Sequence, residues 1–210
     1  SITLQFLLEP TTLNPEKIFR RMHMIVLGML RDAVASFIEG DKHLCRVVVE
    51  RDDEADRLYF LLVRLIRTAI LDGRLAASFR LSPIDCLDYR VAANVLEAVG
   101  DAAVDLVKSL PLLSAEDVGE ELHKSLKDIE MLQESMQESA VKAFLHRSSV
   151  DARNVAKLYI ELKRSLEAFE ARFSQKPASA FISVLSALDK VSRCHVDIAD
   201  LALPLYPMVR

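Results

Sequence analysis

The sequence predicts an all-α fold built from two diverged copies of a three-helix unit, and three observations carry that prediction. Glycine and proline are scarce, at 5 and 7 of 210 residues, and tryptophan is absent, so the turn chemistry of a many-stranded protein is missing. Apolar residues recur at helical spacing between helix start and stop signals. Two segments of the first half reappear in the second half, in the same order and without gaps. The 51% hydrophobic content is ample for a core.

The first helix starts where Asn14 supplies an N-cap, Pro15 a proline at the first helical position and Glu16 an early acid. Ile18, Met22, Ile25, Met29 and Ala33 then mark one face as far as Gly40. A second helix is expected from about Asp41 to Leu71, ending near Asp72 and Gly73, with Leu44, Val48, Leu58, Leu62 and Leu65 buried. Ser82, Pro83 and Asp85 repeat the start signal, with Asp85 at the capping-box position, and the third helix reaches about Leu110 before Pro111.

Ser114 to Asp117 opens a fourth helix, to about His146. A turn from Ser148 to Asp151 leads into a fifth, to about Phe173. Gln175, Lys176 and Pro177 precede a sixth, which Pro204 and Pro207 terminate. The expected division is therefore an N-terminal extension or join over residues 1–13, one three-helix repeat over 14–111 and a second, diverged repeat over 112–210.

Met29 to Ile38 (MLRDAVASFI) lines up with Met136 to Leu145 (MQESAVKAFL). Leu96 to Leu106 (LEAVGDAAVDL) lines up with Leu188 to Ile198 (LDKVSRCHVDI). The second copy is shorter, and the loss falls between its second and third helices.

Several functional classes are disfavoured. A net charge of −4, with acids and bases mixed, offers no basic stripe for a nucleic-acid backbone. Cys45, Cys86 and Cys194 are odd in number and widely spaced, which argues against disulfides or a zinc knuckle and fits a reducing, cytoplasmic setting. Arg64 and Arg67 interrupt the most apolar stretch, so no membrane span is expected. Ile2 to Leu8 lacks the basic flank and cleavage pair of a signal peptide and reads as a short strand joining a preceding domain. His23, His43, His123, His146 and His195 are dispersed, and no phosphate loop, nucleophile elbow or zinc-protease motif occurs, so the chain is not read as an enzyme.

The candidate site is acidic. Asp52 and Asp56 stand at i,i+4 in the second helix, as do Glu97 and Asp101 in the third, with Asp105 one turn further on. Such spacing puts like charges on one helix face, where they repel unless neutralised. If the two helices are antiparallel neighbours, the pairs present four hard oxygen ligands suited to iron, manganese, magnesium or calcium. The competing reading is a solvated face in which Asp53 pairs with Arg57. Gly100, inside a helix, suggests a close helix approach. In the second copy Asp189 keeps the acid of Glu97, but Arg193 replaces Asp101 and is placed to neutralise Asp189 internally.

At these residues the chain resembles the PhoU family of phosphate-uptake regulators, whose fold pairs two three-helix bundles by pseudo-symmetry. Val49 to Phe60 (VERDDEADRLYF) is similar to the family's D-x-x-x-D segment, and Leu96 to Ala103 (LEAVGDAA) to its L-E-R-I-G-D-x-A segment. Leu13 to Arg21 (LNPEKIFRR) looks like archaeal PhoU-domain proteins, which often carry an AbrB-like DNA-binding domain ahead of the helices. No such module lies in these residues, so no direct nucleic-acid contact is assigned to them.

The resemblance implies a cytoplasmic regulator of phosphate uptake that contacts the phosphate ABC transporter or an associated signalling protein, and that forms a homodimer. It also implies a metal ion or cluster (iron, manganese, magnesium, calcium or zinc) held by Asp52, Asp56, Glu97 and Asp101, with Asp105 a further candidate. Departures are Ala98 in place of the family's arginine, Arg193, and the lack of an acidic pair near Glu161 and Ser165. The alternatives are a carboxylate-metal phosphate-ester hydrolase and a metal-free helical scaffold that only dimerises.

Overall fold

The computed structural model describes residues 13–109, 119–173 and 178–202, and every described element is a helix. In chain order they are α1 (Pro15–Glu39), α2 (Lys42–Leu71), α3 (Gly73–Phe79), α4 (Pro83–Ser109), α5 (Glu120–His146), α6 (Ser149–Phe173) and α7 (Ala178–Asp200). Six are the long helices expected from the sequence. The additional helix, α3, lies between the second and third expected helices, a stretch to which the sequence pattern assigns no element. The expected strand at Ile2 to Leu8, the starts at Ser114 and Gln175, and the stops at Pro111, Pro204 and Pro207 lie outside the described residues.

Local chemistry accounts for the boundaries. Asn14 Oδ1 accepts from the Glu16 amide at 2.8 Å, and Asp41 Oδ1 accepts from the His43 amide at 2.7 Å, so α1 and α2 start on side-chain caps. Ser82 and Asp85 form the reciprocal capping box: the Asp85 amide donates to Ser82 Oγ at 3.1 Å and the Ser82 amide to Asp85 Oδ2 at 2.8 Å. Asp72 ends α2 and caps α3 through a 3.0 Å bond from the Arg74 amide.

The repeat extends through the helix junctions. α1 ends on Gly40 in the left-handed region, and in the same ungapped register α5 ends on Arg147, at φ 67° and 51°. In both, the next amide bonds back five residues along the helix end, Asp41 to Ser36 O at 3.1 Å and Ser148 to Ala143 O at 3.0 Å. Asp41 caps α2 where Ser148 caps α6. Glycine adopts this conformation freely, whereas arginine does so at a cost of about 1 kcal/mol or more. What Arg147 gains in exchange is a set of contacts described below.

α1, α2 and α4 pack mutually as one three-helix bundle and α5, α6 and α7 as the other; α1 meets α5 and α4 meets α7 to join them. One continuous apolar core runs through both bundles. At the joint, Phe19 of α1, Tyr89 of α4 and Phe144 of α5 meet edge to face or tilted, with ring centroids 5.0 to 6.1 Å apart. A buried polar seam runs beside these rings. Gln133 of α5 donates to Leu188 O and Ser192 Oγ of α7, and Gln137 of α5 donates to His23 O of α1. The amide nitrogens of both glutamines are thus satisfied, while among the described residues their buried Oε1 atoms have no partner, which costs stability.

The shorter second copy has a structural explanation. Between α2 and α4 the first repeat inserts α3, whose Leu75, Ala76 and Phe79 pack against the core. Between α6 and α7 only residues 174–177 intervene.

Candidate functional site

α2 and α4 run antiparallel. Tyr59 donates from its hydroxyl to Asn94 Oδ1 at 3.2 Å and lies 5.2 Å beneath the Arg90 guanidinium, while earlier on α2 Asp52 sits against Gly100, later on α4. This arrangement draws the two predicted i,i+4 pairs together on the outer side of the first bundle.

The electrostatics express that proximity. Burial, followed by Asp101, Asp56 and Asp53, holds the Asp52 carboxyl above the usual carboxylate range. Burial, followed by Asp101, Asp56 and Asp52, does the same for Glu97. Four of the five predicted acids therefore share one field. Asp105 is exposed, a turn further along α4, and is not among the largest influences on Asp52 or Glu97. The competing Asp53–Arg57 pair does not form: among the described residues no ion pair involves either side chain.

Partial compensation comes from the other repeat. Lys190 of α7 approaches Asp101 at 3.9 Å, and its charge opposes the rise at Glu97. Lys108 acts likewise on Asp52. Neither lysine outweighs burial and mutual repulsion.

The chemical kind of the donors fits a hard divalent cation, because four carboxylates in a partly desolvated field repel one another and such an ion removes the repulsion. Their spacing does not form a closed coordination shell. Among the described residues no three His, Cys, Asp or Glu side chains converge within ligating reach. Binding an ion here therefore requires the carboxylates to turn inward from these rotamers.

Gly100 is buried between α1, α2 and α4, as its position in a helix suggested, but sterics do not demand glycine. A Cβ there would meet Asp52 Oδ1 and Met29 Cε at 3.5 Å and Val26 Cγ2 at 3.6 Å, all ordinary contacts.

The equivalent surface of the second repeat has a different chemistry. The ungapped register places Tyr159 and Lys163 of α6, two residues before the expected Glu161 and Ser165, where α2 has Asp52 and Asp56, and Asp189 and Arg193 of α7 where α4 has Glu97 and Asp101. Arg193 pairs with Asp189 at 3.1 Å, the internal neutralisation expected from the sequence, and Lys163 lies 6.0 Å from the Tyr159 ring centre. Here α6 and α7 flank a cleft of about 350 Å³ lined by both signs of charge, including Lys163, Glu167, Glu170 and Asp189.

Sequence reasoning missed Arg147. Its guanidinium donates to Asp88 Oδ2 and to Leu201 O, each at 3.0 Å, and pairs with Asp85 as well, so one residue at the α5–α6 junction ties α4 to the end of α7. The left-handed backbone at a position equivalent to Gly40 was the only available signal, and it is not visible without coordinates.

Comparison with known proteins places this geometry in context. Residues 19–110 match the PhoU domain. Over 66 residues the chain is 39% identical to the phosphate-specific transport system accessory protein PhoU homolog of Aquifex aeolicus, covering 31% of this chain and 30% of that protein's length. The crystal structure of PhoU from Pseudomonas aeruginosa superposes with a TM-score of 0.67 at 19% identity, covering 90% of this chain and 93% of that one. The phosphate transport system regulatory protein PhoU from Streptococcus pneumoniae gives a TM-score of 0.67 at 16% identity, covering 90% and 91%. At these identities the structural likeness establishes the fold.

Proposed function

We propose that this protein regulates phosphate transport, because residues 19–110 match the PhoU domain and the described chain has the fold of the PhoU structures. It acts in the cytoplasm, by contact with the phosphate ABC transporter or an associated signalling protein, and not by catalysis. The contact surface is the acidic face of α2 and α4. A metal ion or cluster held by Asp52, Asp56, Glu97 and Asp101 sets the shape and charge of that face.

One observation carries this reading: the four carboxylates lie within the matched domain, where Asp101 and Asp56 add to burial in raising the proton affinity of Asp52 and Glu97 on a solvent-facing surface. Like charges gathered at the cost of folding stability point to a ligand or partner that compensates them. The second repeat, with its acids already paired or replaced, holds no equivalent ion.

Co-purification of the chain with the phosphate transporter's nucleotide-binding subunit, with and without added manganese, tests the proposal. The parent chain is retained, and a variant carrying Asp52→Asn, Asp56→Asn, Glu97→Gln and Asp101→Asn is not. Equal retention of both would reject the acidic face as the contact surface. Equal metal content after dialysis would reject the ligand assignment.

A further inference from the structure

At the opposite end of the same helix pair the surface changes character. Arg57, Phe60, Arg64, Arg67 and Leu71 follow one another at steps of three and four along α2, so they form one stripe. That stripe points away from the core, because Leu58, Leu62, Leu65 and Ala69 occupy the buried side. Phe60 is 55% exposed and Leu71 87%. Among the described residues no carboxylate comes within ion-pairing distance of Arg57, Arg64 or Arg67.

The neighbouring helix continues the patch. Arg90 over the Tyr59 ring places the start of α4 beside the second half of α2, and there Ile84, Leu87 and Val91 are exposed at i, i+3 and i+7. From Arg57 to Val91 the sequence contains six arginines and three acids, Asp72, Asp85 and Asp88, of which Asp85 and Asp88 pair with Arg147, in a chain whose net charge is −4. The near-balanced composition conceals this concentration. Arg57 adjoins the acidic cluster, whereas Arg64 and Arg67 lie about 12 and 16 Å beyond Asp56 along the helix axis, so the far part of the patch is separate from the acids.

We infer that this arginine and apolar face of α2, α3 and the start of α4 docks on the surface of a bilayer rich in anionic lipid. Arginine forks suit phosphodiester headgroups, which they hold with paired hydrogen bonds. Phe60, Ile70 and Leu71 project between and beyond the arginines, where they enter the boundary between headgroups and acyl chains. A nucleic-acid backbone would match the charge and leave those apolar tips in water, so charge and apolar exposure together select the lipid surface. Among the described residues no helix is long and apolar enough to cross the membrane, so the association is peripheral. This inference does not depend on the acidic face or on any transporter contact.

Flotation of the full chain with vesicles tests it. The chain floats with vesicles of equal parts phosphatidylcholine and phosphatidylglycerol, stays behind with pure phosphatidylcholine, and is released as salt rises. Arg64→Glu with Arg67→Glu lowers partitioning by about tenfold or more, as expected for charges next to an anionic leaflet. Phe60→Ser with Leu71→Ser also weakens it. All four side chains are exposed, so circular dichroism stays at the parent's. The inference fails if the anionic vesicles do not bind the chain or if the arginine variant binds them equally. It fails too if duplex DNA competes the chain off the vesicles, or if sedimentation shows self-association that the arginine substitutions abolish.

Discussion

Gln133 of α5 donates to Ser192 Oγ of α7 at 3.1 Å, and in the same register of the first repeat Val26 of α1 packs against Gly100 of α4. The two repeats keep one backbone geometry at this contact and fill it with different chemistry. In the first repeat an apolar side chain meets a bare backbone; in the second an amide meets a hydroxyl. Since Gly100 has room for a Cβ at ordinary contact distance, Gly100→Ala stabilises the protein by about 0.5–1 kcal/mol through lower unfolded-state entropy. Urea denaturation measures this. A destabilised variant would mean that α2 and α4 cannot admit the methyl group.

His195 sits nearby on α7, fully buried, and among the described residues neither ring nitrogen has a hydrogen-bond partner. Burial, with a smaller contribution from His23, pushes its pKa down to about 3. The folded value lies below the unfolded value, so the unfolded chain binds the extra proton first. Stability from this residue is therefore full above the ordinary histidine range and is lost as pH falls toward the folded value. Between pH 6.5 and pH 5 the loss is about 2 kcal/mol. His195→Leu removes that part of the acid sensitivity, which denaturation midpoints at a series of pH values would reveal. An unchanged pH profile would place the titrating group elsewhere.

Arg147 combines an unfavourable backbone with favourable side-chain contacts, and two substitutions separate them. Arg147→Ala loses the bonds to Asp85, Asp88 and Leu201 O while keeping the left-handed strain, and costs about 1–3 kcal/mol. Arg147→Gly loses the same bonds but relieves the strain, so it is more stable than Arg147→Ala by about 1 kcal/mol. Thermal melts of the pair decide this. Equal melting temperatures would remove the strain argument.

The acidic cluster has the opposite pH signature to His195. The folded pKa values of Asp52 and Glu97 are raised, so their contribution to stability is full below the ordinary carboxylate range and is lost as pH rises through the raised values. At neutral pH Asp52→Asn therefore stabilises the metal-free chain by about a few tenths of a kcal/mol, the scale of a like-charge helical pair. Manganese, magnesium or calcium raises the parent's melting temperature and has a smaller effect on Glu97→Ala with Asp101→Ala, whose helical circular dichroism matches the parent's. Equal metal shifts in both proteins would remove these ligands.

The helices and their caps could be read directly from sequence because the causes are local. Asn14, Asp41 and the Ser82–Asp85 box act within three residues, and the apolar faces of α1 and α2 follow helical spacing. The duplication was legible for the same reason, since it keeps local order. Two of the site's details were also accessible: the i,i+4 acids, and the Asp189–Arg193 pair that neutralises itself within one helix.

Tertiary structure alone decided the rest, because it depends on which helices become neighbours and at what register. Antiparallel packing of α2 on α4 gives Asp52, Asp56, Glu97 and Asp101 a common field, with Asp105 a turn beyond it on α4; helical spacing permitted all five. Packing of α7 on α4 puts the Lys190 charge of the second repeat beside Asp101 of the first, and packing of α2 on α4 sets the arginines of α2 beside the apolar start of α4. Long-range juxtapositions of this kind, Arg147 with Asp85 included, arise from the fit of whole helices, and no short window of sequence contains that fit.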